Sequence, residues 1–178
     1  MNRAEAEGIG HPSNSIRPYS ISGVNSMIKF ENTVEINQPI EEVFRFVADF
    51  ENVPRWNYYV KHVRQLSKGV TGEGTLYHQT RRDDEQDYQI IIYQPNHKIA
   101  IKTTQDSKPA FERVFTFEEF TNGTRIKDEW ELETGHNPLI ERLGAGQVRA
   151  AVADNLGKLK ELLEHGETRL QDGRVSKL

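Results

Sequence analysis

The chain contains no cysteine among its 178 residues. Disulfide bridges and thiolate metal sites are therefore excluded, and a reducing compartment is the simpler location for such a chain. Long apolar runs are also missing, since no stretch approaches the roughly 20 residues that a membrane-spanning helix needs. The N-terminal segment lacks the apolar region of a secretory signal. These absences predict a soluble protein without a transmembrane segment, located in the cytoplasm.

Charge of one sign is not clustered along the chain. The formal net charge is −4, and acidic and basic residues are interspersed. Because binding to nucleic acid needs a concentrated cationic surface, we expect no nucleic-acid partner.

The C-terminal tripeptide Ser176-Lys177-Leu178 leaves a second location open. It matches a peroxisomal address, which a receptor reads at a free C-terminus. A match of three residues arises easily by chance, and the address has a meaning only in a eukaryote. The peroxisome is therefore the alternative to the cytoplasm if the source is eukaryotic.

Sequence motifs of common enzymes are missing as well. The six histidines show no His-x-x-x-His spacing of the kind that binds zinc. No Gly-x-Ser-x-Gly elbow, phosphate loop or dinucleotide fingerprint occurs. We therefore expect no metal ion and no cofactor, and the sequence leaves the catalytic residues unknown.

Polar segments at both ends frame one domain. Residues 1–26 are rich in Gly, Pro, Ser and Asn without an apolar period, which predicts either a flexible N-terminal extension or a misplaced start, with Met27 as the alternative beginning. Residues 166–178 are similarly polar and are expected to form a flexible C-terminal tail. The segment between them, residues 27–165, is long enough for one domain with a sizeable core.

Hydrophobic periodicity within residues 27–165 predicts a mixed α+β fold. Ile28 to Ile36 alternates apolar and polar residues, as a half-buried strand does. Two short helices follow Pro39, and a long amphipathic helix runs from Asn137 to about Glu164. Between them the alternation predicts six antiparallel strands joined by short turns, at 60–67, 74–82, 87–94, 99–104, 110–119 and 124–133.

Only the last helix is long enough to cover the apolar face of this sheet. The sequence therefore predicts a seven-stranded curved antiparallel sheet that grips the C-terminal helix, with a cavity between them. Several segments in this order resemble the SRPBCC (START/Bet v 1-like) superfamily, in particular its polyketide cyclase/dehydrase and lipid transport branch. They are VEINQPIEEVFRFVADFENVPRW, GEGTLYHQT, IIIYQPNHKIAIKT and FTFEEFTNGTRIKDEWE.

The resemblance covers residues 28–164 and implies the helix-grip fold of that superfamily. Its members bind lipids, sterols, quinones or polyketides, and some are cyclases, so the fold does not determine the function. The resemblance also implies that Tyr77 and Gln79 point inward, which makes His78 a surface residue. It places Tyr93 inward, which requires a bulge near 91–93, and it places Trp56 at the cavity entrance, although Trp56 is equally well explained as a core anchor.

Alternation along the last hairpin places two opposite charges, Arg113 and Asp128, on the inner face. A two-residue turn at Asn122-Gly123 predicts that Phe117 faces Asp128 and that Phe115 faces Trp130. Because an isolated buried charge is costly, Arg113 and Asp128 each need a partner. Either they are satisfied locally, by each other or by solvent, as most buried polar groups are, or they orient a polar group of an apolar ligand. The residues predicted to line the cavity are Trp56, Tyr77, Gln79, Tyr88, Ile90, Ile101, Arg113, Phe115, Phe117, Asp128, Trp130, Val148 and Val152.

Three functions follow from this reasoning. The first is the binding or carriage of a hydrophobic small molecule, such as a lipid, quinone, sterol or polyketide-like compound, in the cavity. The second is a polyketide cyclase or dehydratase that uses the same cavity, with Arg113, Asp128, Tyr88 or Tyr77 in proton transfer. The third is a protein-interaction domain with a vestigial cavity. The sequence identifies neither the ligand nor the oligomeric state.

Overall fold

The computed structural model describes residues 27–133 and 138–178, and for 138–143 it describes the backbone alone. The predicted N-terminal extension, residues 1–26, lies outside the described residues. The elements are β1 (Met27–Ile36), α1 (Ile40–Ala48), a 3-10 helix (Phe50–Arg55), β2 (Val60–Gln65), β3 (Leu76–Arg81), β4 (Glu85–Gln94), β5 (Lys98–Thr103), β6 (Phe111–Phe120), β7 (Gly123–Glu133), α2 (Pro138–His165), β8 (Glu167–Arg169) and β9 (Val175–Lys177).

Seven strands form one antiparallel sheet in the order β1-β7-β6-β5-β4-β3-β2. Strands β2 to β7 are consecutive neighbours, and β1 joins the far edge by pairing with β7. The two short helices connect the edge strands β1 and β2, and α2 packs against β1. The predicted helix-grip fold, with its seven strands, two short helices and long final helix, is confirmed.

A bulge changes the side-chain alternation of β4. The register between β4 and β5 shifts between Ile90 and Ile92, so Ile91 is the extra residue. Tyr93 therefore points to the same side as Ile90 and packs edge-on against Phe44 of α1, with ring centroids 5.6 Å apart. The bulge predicted near 91–93 is confirmed.

The β6–β7 turn is displaced from its predicted position. Phe120 pairs with Gly123, so the turn residues are Thr121 and Asn122. Gly123 already belongs to β7 and lies against the end of β1, where a Cβ atom would be only 2.1 Å from the Ile36 carbonyl oxygen. Gly123 therefore permits the close approach of the β7 and β1 backbones. The Asn-Gly pattern had predicted instead that this residue lies in the turn.

The displaced turn changes which residues face each other. Asp128 lies opposite Phe115 and Trp130 lies opposite Arg113, so the predicted pairs Phe117–Asp128 and Phe115–Trp130 are wrong. The error is two residues, and side chains alternate with a period of two. The predicted inner and outer faces of both strands are therefore unchanged.

The two short helices fill one end of the inner face. On α1 the apolar spacing directs one stripe inward, where Phe44 meets Phe117 edge-on at 5.1 Å between centroids. Phe50 of the 3-10 helix meets Tyr77 at 5.3 Å. The buried residues of α1 are Ile40, Val43, Phe44, Val47 and Ala48.

Helix α2 is buried along only part of its length. Leu156, Leu159, Leu162 and Leu163 belong to the main core. None of residues 144–154 is buried. The C-terminal half of α2 therefore anchors the helix, and its N-terminal half leaves space above the sheet.

The structure differs from the prediction at residues 166–178, where a hairpin replaces the expected flexible tail. Strand β8 pairs with β9, and Leu170 at the turn is only 3% exposed. The Thr168 hydroxyl donates to the Glu161 carboxylate of α2 at 2.5 Å, and the Arg55 guanidinium donates to a carbonyl of β9. One buried leucine and a few polar contacts hold this hairpin. The polar composition of residues 166–178 does not by itself predict such contacts.

We expect Leu170→Ala to reduce the free energy of unfolding by about 2 kcal/mol, because it removes a buried side chain that holds the hairpin. Val175→Ala is the matched control, since Val175 is 48% exposed, and should change stability by less than about 0.5 kcal/mol. Urea denaturation followed by tryptophan fluorescence measures both. If Leu170→Ala changes the free energy of unfolding as little as Val175→Ala does, the hairpin is not docked on the domain.

Candidate functional site

A cavity of about 340 Å³ lies between the inner face of the sheet and the N-terminal half of α2. The 3-10 helix and the segment that follows it close one side. This volume is at the lower end of the range of about 300–1,000 Å³ typical of small-molecule sites. Its wall consists of Phe50, Val53, Asn57, Tyr59, Val60, Gln79, Arg81, Gln86, Tyr88, Ile101, Pro109, Phe111, Arg113, Trp130, Leu132, Gln147, Val148, Ala151, Val152 and Asn155.

The sheet side of the cavity changes character along the strands. Arg113 and Trp130 lie opposite each other at the inner end, next to the buried row of Asp128 and Phe115. Tyr88 lies one row further from Asp128, and Gln79 pairs with Gln86 in the next row. Since these rows come from successive inward positions of neighbouring strands, the β-register itself sets the order: a charged and aromatic end, an aromatic middle and an amide end.

Arg113 and Asp128 form a buried bidentate ion pair. The Arg113 Nε and Nη2 groups donate to Asp128 Oδ1 and Oδ2 at 2.8 and 2.7 Å. Arg113 is 5% exposed and Asp128 is fully buried. This is the local pairing that the sequence left as one of two alternatives. The pairing uses two of the five N–H groups of the guanidinium, and Nη1 has no acceptor among the described residues.

Aromatic rings surround the Arg113 guanidinium. Its central carbon lies 4.1 Å from the Phe115 ring centroid, 4.5 Å from that of Trp130 and 5.7 Å from that of Trp56. Rings at these distances attract the cation through their quadrupoles and exclude water from it. The ion pair is therefore fixed in an apolar surrounding at the inner end of the cavity.

Two further donors of the cavity wall are unsatisfied. The Tyr88 hydroxyl and the Trp130 indole N–H are buried without a hydrogen-bond partner among the described residues. Buried donors are paired in the great majority of cases. The indole N–H of Trp56 is unpaired too, but Trp56 does not line the cavity. The wall of the cavity thus contains two buried donors, one on β4 and one on β7, that a ligand acceptor could satisfy.

Burial also determines the protonation state of these phenols. It raises the pKa of Tyr88 well above the ordinary value of 10.0, since the phenolate would lose its hydration; the neighbouring Tyr77 adds to the effect and the Arg113 charge opposes it. Burial raises the pKa of Tyr77 as well, and a hydrogen bond with Thr71 partly offsets this. Tyr88 is therefore a neutral hydrogen-bond donor at physiological pH.

Amide side chains of the cavity wall are held in place by hydrogen bonds. The Asn155 side chain of α2 is 4% exposed and donates to Asn57 Oδ1 at 3.2 Å, while its own oxygen accepts the Tyr58 backbone N–H at 3.4 Å. The Gln86 side chain donates to the Pro109 carbonyl at 3.2 Å. These bonds tie α2 to the segment before β2, and β4 to the segment before β6.

Ionisable groups of the described cavity wall are restricted to two tyrosines, Tyr59 and Tyr88, and two arginines, Arg81 and Arg113. Arg81 Nε lies 3.4 Å from the Asp84 carboxylate. Within residues 27–133 and 138–178, no cluster of three or more His, Asp and Glu side chains could hold a metal ion. None of the helices in this part of the chain is long and apolar enough to cross a membrane.

The family described as polyketide cyclase / dehydrase and lipid transport matches residues 27–164. The chain belongs to this family. The predicted resemblance is thereby confirmed, and the match extends from β1 almost to the end of α2. The β8–β9 hairpin lies beyond the polyketide cyclase/dehydrase domain. No curated protein matches the chain.

Solved structures show the same fold at low sequence identity. The di-domain ARO/CYC StfQ of the steffimycin biosynthetic pathway is 14% identical with a TM-score of 0.64, over 79% of this chain and 52% of that one, so this chain spans about half of StfQ. DR_A0006 from Deinococcus radiodurans is 12% identical with a TM-score of 0.58, over 78% and 98% of the two chains. MLL2253 from Mesorhizobium loti is 16% identical with a TM-score of 0.59, over 79% and 99%.

The structure divides the thirteen predicted cavity residues of this polyketide cyclase/dehydrase domain into two groups. Gln79 faces the cavity from β3, and Val148 and Val152 cover it from α2. The members that lie in the wall are Gln79, Tyr88, Ile101, Arg113, Trp130, Val148 and Val152.

The other six residues lie outside the cavity wall. Trp56, Tyr77, Ile90, Phe115 and Phe117 are core residues, each no more than 2% exposed, and Asp128 lies behind Arg113. Phe44 of α1 covers Phe117, and Phe50 of the 3-10 helix covers Tyr77. Tyr77 and Ile90 pair with the wall residues Tyr88 and Ile101, so they lie in the same rows of the sheet but on neighbouring strands. Alternation predicts which face of a strand points inward. It does not predict which residues of that face remain uncovered by other elements.

Several wall residues were missed although a signal was present. Gln86 shares the alternation of Tyr88 on β4, and Asn155 follows Val148 and Val152 at helical spacing. Phe111 and Leu132 are in the inward sets of β6 and β7. Others of the wall, such as Asn57, Tyr59 and Pro109, come from segments without periodicity, where the sequence gave no such signal.

We expect Asp128→Asn to reduce the free energy of unfolding by about 3–5 kcal/mol, because it leaves the buried Arg113 charge without its partner. The double variant Arg113→Met, Asp128→Leu should recover most of this loss, since both charges are gone. Urea denaturation of both, with Glu131→Gln of the exposed Lys29–Glu131 pair as control, measures the difference. A loss below about 1 kcal/mol would mean that water reaches the pair.

The raised pKa of Tyr88 predicts a loss of stability at high pH. The folded state holds the phenol proton more tightly than the unfolded state, so the stabilisation is complete below the ordinary pKa of 10.0 and declines as the pH rises above it. Tyr88→Phe should remove part of this decline, and Tyr59→Phe, at an exposed position, should not. Absorbance titration of phenolate together with urea denaturation checks this, and a Tyr88 that titrates normally would contradict it.

Proposed function

We propose that this domain binds or carries a hydrophobic small molecule in the cavity beneath α2. The observation that carries the proposal is the wall itself: it is mainly aliphatic and aromatic, with a small number of polar groups at defined positions. Small-molecule sites have this composition, because apolar surface supplies affinity and a few polar groups fix the orientation. Membership of a family described by polyketide cyclases, dehydrases and lipid transport supports the same function.

The cavity volume restricts the size and the affinity of the ligand. A space of about 340 Å³ favours a compact molecule over a long-chain lipid. A ligand of about 20 non-hydrogen atoms that gains about 0.3 kcal/mol per atom would bind with about 6 kcal/mol, a Kd of tens of micromolar. Among the ligands considered from the sequence, quinone-like and small polyketide-like compounds fit this space better than sterols.

The described side chains favour binding over a cyclase or dehydratase activity. General acid–base catalysis needs a group that accepts a proton near neutral pH, most often an imidazole or a carboxylate. The described cavity wall has neither, and the Asp128 carboxylate is occupied by Arg113. The open volume also argues against a vestigial cavity in a protein-interaction domain.

The cytoplasm remains the proposed location. Ser176 and Lys177 of the tripeptide that matches a peroxisomal address lie in β9, where they pair with Thr168 and Glu167 of β8. A receptor that reads an extended C-terminus would first have to open this hairpin.

Two alanines of α2 provide a matched test of the binding function. Ala151 lines the cavity, and Ala153, two residues further along the helix, is exposed. Ala151→Trp should fill the cavity and weaken binding of the neutral apolar probe N-phenyl-1-naphthylamine at least tenfold, whereas Ala153→Trp should bind it as the parent chain does. Titration of probe fluorescence measures both, with thermal melting to show that each variant is folded.

If the proposal is right, only Ala151→Trp weakens probe binding. A general effect of a new tryptophan on α2 would change probe binding equally in both variants. Equal probe binding by the two variants would locate the probe elsewhere on the protein. No binding to the parent chain would mean that an apolar ligand of this size does not enter the cavity.

A further inference from the structure

The C-terminal hairpin, residues 166–178, lies beyond the segment that the family matches and joins two elements that border the cavity. On its β8 side, the Thr168 hydroxyl donates to the Glu161 carboxylate of α2 at 2.5 Å. On its β9 side, the Lys177 carbonyl oxygen accepts from the Arg55 guanidinium of the 3-10 helix. The hairpin therefore bridges α2 and the 3-10 helix.

Burial shows that the hairpin is docked on the domain. Thr168 is 4% exposed and Leu170 is 3% exposed. A two-stranded hairpin has no interior of its own, so other elements must cover these side chains. The last residue, Leu178, borders a groove of about 250 Å³ together with Asn52 of the 3-10 helix and Leu163 of α2. The C-terminus thus reaches the same two elements.

A second tie between the same parts of the chain lies at the edge of the cavity. The Asn155 side chain of α2 donates to Asn57 Oδ1 at 3.2 Å, just beyond the 3-10 helix. On the opposite side of α2, the Asn32 side chain of β1 donates to the Arg149 carbonyl oxygen at 3.3 Å. None of residues 144–154 is buried, so packing holds this half of α2 weakly and such ties determine its position.

The gap between α2 and the segment 57–59 is bordered by wall residues on both sides. Ala151 and Asn155 lie on the α2 side, and Asn57 and Tyr59 lie on the other. Moving α2 away from this segment would therefore widen the cavity and strain both ties. The structure describes the whole hairpin, and none of its residues is part of the wall, so the hairpin acts on this opening without touching a bound ligand.

We propose that the C-terminal hairpin is a clasp on the cavity. While it is docked, it holds α2 against the 3-10 helix and slows the exchange of the ligand, and its release opens this side of the cavity. The inference rests on the proposed binding function and adds the control of ligand entry. Because the clasp makes no contact with the ligand, weakening it changes the association and dissociation rates together and leaves the Kd nearly unchanged.

Thr168→Val in the full chain tests the clasp, because it removes the hydroxyl that bonds Glu161 and keeps the shape of the side chain. Stopped-flow mixing with N-phenyl-1-naphthylamine at several concentrations gives the association rate constant as a slope and the dissociation rate constant as an intercept. Both should rise about fivefold, since the docked state loses one hydrogen bond to a charged group, and the Kd should stay within about twofold of the parent value.

Two matched threonine variants assign the effect to this hydrogen bond. Thr168→Ser keeps the hydroxyl and should exchange the probe as the parent chain does. Thr33→Val makes the same substitution at an exposed position of β1 and should also leave both rate constants unchanged. Faster exchange in Thr33→Val, or in Thr168→Ser to the same extent as in Thr168→Val, would contradict the assignment.

Leu170→Ala releases the hairpin more completely and should raise both rate constants at least as much as Thr168→Val. Because it also destabilises the domain, Ile99→Val is its control: Ile99 is fully buried on β5 and is not part of the cavity wall. This variant should melt at a lower temperature with unchanged rate constants. Parent-like exchange in Leu170→Ala, or equally accelerated exchange in Ile99→Val, would overturn the clasp.

Hydrogen exchange followed by mass spectrometry checks the clasp without any ligand. Thr168→Val and Leu170→Ala should accelerate exchange in residues 144–154 and at the Tyr58 amide, which donates to Asn155 Oδ1, and should leave β5 to β7 unchanged. Unchanged protection of residues 144–154 in both variants would mean that the hairpin does not hold α2.

The outcomes separate this inference from the proposed function. If the probe does not bind the parent chain, the binding function is contradicted, and hydrogen exchange alone decides whether the hairpin holds α2. If the probe binds and Leu170→Ala changes neither rate constant, the binding function stands and the clasp is wrong.

Discussion

The buried pair of Arg113 and Asp128 fixes the arrangement on which the rest of the site depends. Two charges inside an apolar core are tolerated only when each satisfies the other, and here both carboxylate oxygens accept from the guanidinium. Asp128 faces Phe115 across the strands, whereas Arg113 faces Trp130. A slip of β6 against β7 would separate the charges, so the pair fixes the register of the two strands that carry Arg113 and Trp130 into the cavity wall.

The same pair marks the boundary between packed core and open space. On the Asp128 side, Phe115 and Phe117 lie under α1, and the interior is filled. On the Arg113 side, Phe111 and Leu132 face the cavity, because the covering half of α2 is not buried against the sheet. Arg113 can therefore be satisfied by Asp128 from behind and still present its remaining donor to the cavity.

The fold could be predicted from local patterns, and the extent of the cavity could not. Alternation determined the inner faces of β6 and β7 even where the turn at Thr121-Asn122 was misplaced, because the error was an even number of residues. For β3 and for Tyr93 the inward face came from the family resemblance. Which part of that face stays open depends on how α1 and the 3-10 helix pack, and this is a tertiary property. For that reason Phe115 and Phe117 were predicted in the cavity although they lie in the core. The C-terminal hairpin was missed for a related reason, since a single buried apolar residue, Leu170, replaces a hydrophobic pattern.

The donors of the cavity wall show how binding and catalysis differ as uses of such a site. Neutral and cationic donors around a carbonyl oxygen stabilise negative charge that develops on it, which is the electrostatic half of enolate chemistry. The other half is removal of a proton from the adjacent carbon, and this requires a base within hydrogen-bond reach. The described wall offers no carboxylate or imidazole, and the high pKa of Tyr88 keeps its phenol protonated. The wall residues that the structure describes therefore offer donors to an oxygen atom, and no carboxylate or imidazole stands among them.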